Sequence, residues 1–235
     1  DVFSVVEEAR KREVDSLLLE FLYTRSKRYV VEETSEMMEL ADKYKEIIHK
    51  MENEETDIED RLEVYREQIY LYMDMKEFGT ALTLCEKLLQ SDEEKDRNLY
   101  LKADILRQDG KYKDALKIFL ELDKNNPDYE IYAFNAARCY HEMNQPEMEK
   151  QYLQRTLSIN PQHQNANSHI ADILKKQLKS SWDWNMFHEA IEYASKQIEL
   201  LPNCYYLIER GLLYLDAGMT DLAKQDFQAA MEDDP

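Results

Sequence analysis

Between Lys111 and Asp123 the apolar positions Ala115, Ile118, Phe119 and Leu122 recur three and four residues apart, with lysines and acids between them. That spacing puts the apolar groups on one stripe of an α-helix and the charges on the other face. Gly110 stands before the segment, and Asn125-Asn126-Pro127 closes it. A helix with one apolar stripe needs a cover. Here the cover is written in the chain itself, because the same stripe returns at a fixed interval.

The run LYLKADILRQDGKYKDALKIFLELDKNNPD can be set above YAFNAARCYHEMNQPEMEKQYLQRTLSINPQ with an offset of 34 residues. Ala103 then aligns with Ala137, Phe119 with Leu153 and Pro127 with Pro161. Stepping back by 34 from Ala115 reaches Ala81, with Cys85 in the place of Phe119. The pairs Ala190–Pro202 and Ala223–Pro235 repeat the twelve-residue spacing of Ala115–Pro127. The punctuating residues agree with this division. Pro127, Pro161, Pro202 and Pro235 end units, Pro146 opens a second helix, Gly110 and Gly218 occupy the turn inside a unit, and Gly79 lies a few residues past its own turn.

Five helix-turn-helix units follow, at 62–95, 96–129, 130–163, 164–204 and 205–235. Gly211 aligns with Ala103, Ala137 and Ala171 in a slot on the first helix, so the two helices of a unit should cross closely there. Thr56 with Glu59 and Ser91 with Glu94 read as capping boxes, and Asp128 and Asn203 as N-caps. Upstream, Val14, Leu17, Leu18, Phe21 and Leu22 make one helical stripe, and Met37, Met38, Ala41, Tyr44, Ile48 and Met51 another. They predict helices over about 3–26 and 31–53 within residues 1–61, as a degenerate unit or a packing cap.

These features resemble the tetratricopeptide repeat family over roughly residues 60–235: the 34-residue period, the small residue on the first helix, the alanine and aromatic four apart in ALKIF and AKQDF, and the closing proline. The departures are a missing early tryptophan, Glu149 where an alanine is expected, and Ile69 in the small slot of the first unit. The resemblance implies an all-α, right-handed superhelical solenoid of antiparallel helix pairs, about 12 helices in all, whose first helices line a concave side.

Mapping the inward positions gives Arg66, Tyr70 and Met73; Tyr100, Asp104 and Arg107; Phe134, Arg138 and His141; Asp172 and Lys175; and Ile208, Leu212 and Leu215, the alternative for Tyr100 and Phe134 being that they pack between neighbouring helices. Family members that grip the C-terminal carboxylates of chaperone peptides use lysines and asparagines at such places. Asp104 and Tyr70 stand there instead, so that role is not carried over.

The fourth unit departs in length. Between Ala171 and Ala190 lie 18 residues where other units have 11, and the seven extra residues bring Trp182 and Trp184. The two rings either cap a longer turn or form an exposed aromatic anchor for a partner.

Composition narrows the function. Gly 4 and Pro 5 leave little material for a phosphate loop or a sandwich, and 43% hydrophobic content suffices for a core. A net charge of −19 disfavours nucleic acid and anionic membranes, both of which are bound through lysine and arginine. Cys85, Cys139 and Cys204 are odd in number and far apart, which favours a reducing compartment and a cytoplasmic location. No apolar run is long enough to span a bilayer. Because the chain starts at Asp1 and stops at Pro235 without a polar-faced cap, it reads as a piece of a longer protein.

His49, His141, His163, His169 and His188 sit in no metal-type spacing, and no nucleophile elbow or phosphate loop is present. No cofactor, metal or catalysis is expected. The sequence therefore predicts a protein-interaction scaffold that binds a peptide or protein partner in its groove; the alternative is an intramolecular spacer or regulator of a larger protein.

Overall fold

The computed structural model describes residues 17–31, 33–53, 58–90, 94–180, 183–200 and 202–233, and these residues carry α-helix and no strand. They fall into two compact units, residues 1–115 and 116–235. The first holds α1 (Leu17–Arg28), α2 (Thr34–Asn53), α3 (Ile58–Asp74), α4 (Phe78–Leu88) and α5 (Lys95–Gln108), and the division falls within α6 (Tyr112–Asn125). The second continues with α7 (Glu130–Glu142), α8 (Pro146–Ile159), α9 (Gln164–Ser180), α10 (Trp184–Leu200), α11 (Cys204–Asp216) and α12 (Thr220–Asp233).

Within the first unit each helix packs on the next. Phe21 of α1, Tyr44 and Ile47 of α2, and Val64 and Leu71 of α3 share one core, so the N-terminal helices rest on α3. A second core joins Ile69 and Met73 of α3 to Ala81 and Cys85 of α4 and Ile105 of α5. Burial pushes the Cys85 thiol up to about 12, and its Sγ donates to the Asn98 carbonyl at 3.5 Å, which makes it a packing group. In the second unit one core runs through α7 to α11, from Ala137 and Leu153 through Ile170 and Ala190 to Leu213. A helix pair is thus completed by its neighbour.

The turns explain the period. Lys76, Gly110, Asn144 and Gly218 all have positive φ, of 59°, 78°, 54° and 76°. In each turn the next N–H reaches back five residues to the preceding helix: Glu77 N to Tyr72 O at 2.8 Å, Lys111 to Leu106 at 2.8 Å, Gln145 to Tyr140 at 3.0 Å and Met219 to Tyr214 at 2.7 Å. This bond pattern satisfies the carbonyls left over at a helix end. Lys76 is the turn residue of the first unit, and Gly79 lies three residues past it inside α4, in line with its place in the sequence.

In the fifth unit the small slot is matched by volume across the helix pair. A Cβ built on Gly211 would lie 2.6 Å from Cε1 of Phe227, so the largest partner faces the smallest residue. Ala137 shares a core with Leu153, and Ile69 with Cys85. The bulky Ile69 is thus matched by a small residue four places beyond Ala81.

One local reading is corrected. Asp128 does not cap α7, since Tyr129 holds the N-cap place without a side-chain bond, whereas the Asn203 side chain does accept from the Tyr205 N–H, at 2.8 Å. The helices of the fourth unit are long: α9 and α10 have 17 residues each, against 14 in α8 and 13 in α11. Thr56, Glu59 and Ser91 as capping partners, and the predicted helix before residue 17, lie outside what the structure describes.

Candidate functional site

The three helices α7, α9 and α11 open the second unit's repeats, and two recesses lie on them. One is walled by His141 of α7, Asn144, and His169 and Gln177 of α9, with Glu149 of α8 at its floor. The other lies between α9 and α11, walled by Lys175, Leu178, Glu209, Leu212 and Asp216, with Phe187 of α10 below. Asp172 and Lys176 line both, so α9 is the ridge where the two recesses meet. Of the predicted lining residues, His141, Asp172, Lys175 and Leu212 are brought together here.

Glu149 is the group the sequence flagged only as a departure. It stands where Ala81, Ala115, Ala190 and Ala223 stand in the other units, and is 4% exposed. Its Oε1 lies 2.9 Å from His141 Nδ1 and 3.6 Å from His169 Nδ1, so two first helices converge on one buried carboxylate. A buried carboxylate needs such partners, since desolvation without them costs several kcal/mol. Among the described residues no group of three or more histidine, cysteine or acidic side chains is placed to hold a metal ion.

Three residues assigned to the lining are interior instead. Arg66 is 1% exposed, with its guanidinium turned to Asn98. Met73 belongs to the core of α3 to α5, and Phe134 is buried with its ring 4.4 Å from that of His163. In each case the neighbouring repeat covers the side chain. Tyr70 is half-buried with the Arg28 guanidinium 5.3 Å from its ring, and Tyr100 is half-buried. Asp104 is engaged by Arg107 at 3.1 Å and by Gln108 at 2.9 Å. Arg138 donates to Asn135 at 3.3 Å, and Lys175 pairs with Glu209. Trp184 is 43% exposed, 5.2 Å from the His188 ring, while Trp182 lies outside the described residues.

His163 ties this region to pH. Its Nδ1 accepts from the Ala166 N–H at 3.2 Å, satisfying one of the free donors at the start of α9. Burial holds its imidazole below the ordinary value. The unfolded chain therefore takes up a proton at a pH where the folded chain resists it, and the contribution to stability, full at neutral pH, is lost as pH falls through the folded value. Wild type should lose more of its urea midpoint between pH 7.5 and pH 5.5 than His163→Asn, which keeps a capping oxygen without the titrating ring. Equal losses would remove this role.

Residues 74–156 match the family model of anaphase-promoting complex, cyclosome, subunit 3. No curated protein matches the sequence. Among solved structures the fold is similar to a crystal structure of MamA protein, with TM-score 0.59 and 17% identity over 73% of this chain and 91% of that one. It is similar to MamA 41-end from Desulfovibrio magneticus RS-1, with TM-score 0.56 and 16% identity over 73% of this chain and 93% of that one. It is similar also to YrrB, described as a TPR (tetratricopeptide repeat) protein with an unusual peptide-binding site, with TM-score 0.56 and 19% identity over 83% of this chain and 94% of that one. At these identities the likeness is one of fold. Among the described residues no helix is long and apolar enough to cross a membrane.

Proposed function

We propose that the chain is a tetratricopeptide-repeat protein that works as a non-catalytic interaction scaffold, holding a peptide or protein partner in the groove across α7, α9 and α11. The observation that carries this reading is the pair of recesses joined at Asp172 and Lys176. His141, Asp172 and Leu212 on that flank are exposed and present imidazole, acidic and apolar groups. Such a surface suits an extended segment, whose backbone and alternate side chains can follow it. The description of YrrB as holding a peptide-binding site supports a peptide as the kind of ligand this fold takes.

A photo-crosslinking residue placed at Asp172 tests the reading in the native cell, with Lys224 of α12 as an exposed control outside both recesses. The expected result is a discrete protein adduct from position 172 and none from position 224. The same adducts from both positions, or none from 172, would remove the groove as the binding surface.

A further inference from the structure

We propose that the groove takes a peptide segment carrying a basic side chain, arginine or lysine, and an apolar side chain about three residues away. This rests on the scaffold reading above and names the chemistry of the partner.

The basic preference comes from the balance of charge. Glu149, Asp172, Glu209 and Asp216 line the two recesses against only Lys175 and Lys176. Lys175 is already drawn to Glu209. Glu149 lies at the buried floor of its recess, held by His141, so its charge acts through a medium less polarisable than water and reaches an incoming cation with little screening. An acidic segment laid along the same line would meet like charge at both ends and be disfavoured. The net charge of −19 adds long-range attraction for a basic partner and speeds encounter.

The apolar preference comes from α11. Ile208, Leu212 and Leu215 are 42%, 44% and 48% exposed, and they stand four and three residues apart, so they form one apolar stripe on the groove side. Leu212 faces the recess that Leu178 and the buried Phe187 complete. An apolar side chain laid on that stripe displaces the water against it, which favours binding.

The spacing comes from the ridge. Acids line both recesses, but the one floored by Glu149 and the one completed by Leu178, Phe187 and Leu212 flank α9, so their centres are about one helix diameter, roughly 10 Å, apart. An extended chain covers that distance in about three residues, at roughly 3.4 Å each.

Selection of a random-peptide display library on the full chain, followed by fluorescence-anisotropy titration of the enriched peptides, tests this. The titrations compare wild type with Asp172→Lys and Leu212→Asp, both at exposed positions, with circular dichroism to verify helix content. Enriched peptides should carry Arg or Lys and an apolar residue about three apart. Affinity should fall at least about tenfold in either variant, and as much when the peptide's basic residue becomes Glu. Peptides that depend on Leu212 but lack a basic residue, or tolerate its replacement by Glu, would overturn this inference and leave the scaffold reading standing. Enriched peptides indifferent to both variants, or no enrichment, would remove both.

Discussion

Gly211→Leu is expected to lower the stability of the 116–235 unit by about 3 kcal/mol or more, measured as a shift of the urea midpoint followed by circular dichroism. The backbone of α11 meets the Phe227 ring so closely that even a methyl group would sit 2.6 Å, 2.9 Å and 3.1 Å from three ring carbons. Gly211→Ala should cost less, because alanine regains up to about 1 kcal/mol of helix propensity and the ring can slide a little. The decisive variant is Gly211→Ala with Phe227→Leu, which recreates the pairing of Ala137 with Leu153 found two units earlier. It should be more stable than the sum of its parts by about 1 kcal/mol, and strict additivity would show that the two positions do not trade volume.

Arg66→Leu is expected to cost the 1–115 unit about 3 kcal/mol, from the loss of a buried charge that several partners hold at once. Its Nε and Nη2 donate to Asn98 Oδ1 at 3.2 Å and 3.1 Å, its Nη1 to Glu63 at 3.2 Å, and Glu94 completes the set. Leucine fills much of the space but leaves the fully buried Asn98 amide without that donor. Arg66→Lys should restore only part of the loss, since one ammonium cannot reproduce the planar fork. Arg66→Leu combined with Asn98→Leu should cost less than the two single changes added, because the buried amide that loses its guanidinium donor is then gone as well. A neutral Arg66→Leu would mean that the network is ornamental to folding.

The repeat was legible because its signal is geometric and recurs. Lys76, Gly110 and Asn144 fall 34 residues apart with the same left-handed backbone, yet only one of them is glycine. Asparagine tolerates that conformation, and lysine enters it at a cost of about 1 kcal/mol, so the turn of the first unit carries no glycine of its own to mark it. Ile69 looked like a departure from the small slot for a similar reason. Its compensation, Cys85, lies on the other helix, and the single-helix pattern carries no record of the match.

Depth in the groove was less legible. Arg66, Phe134 and Asp172 share a helix face by sequence phase, but only Asp172 is exposed. What covers the other two is the adjoining repeat, and helical periodicity fixes the face of a side chain without fixing its neighbour. Glu149 stood out as an acid among alanines, while the two histidines that receive it sit on other helices at no recognisable spacing.

The volume trade also sets where this chain can be cut and rejoined. A graft that moves α11 and α12 together carries glycine and its ring as a matched set, and should be accepted wherever a hairpin of this kind docks. A graft that moves one helix alone brings half of the fit, so the natural module for recombination is the hairpin, and a join made inside it leaves a void or a collision.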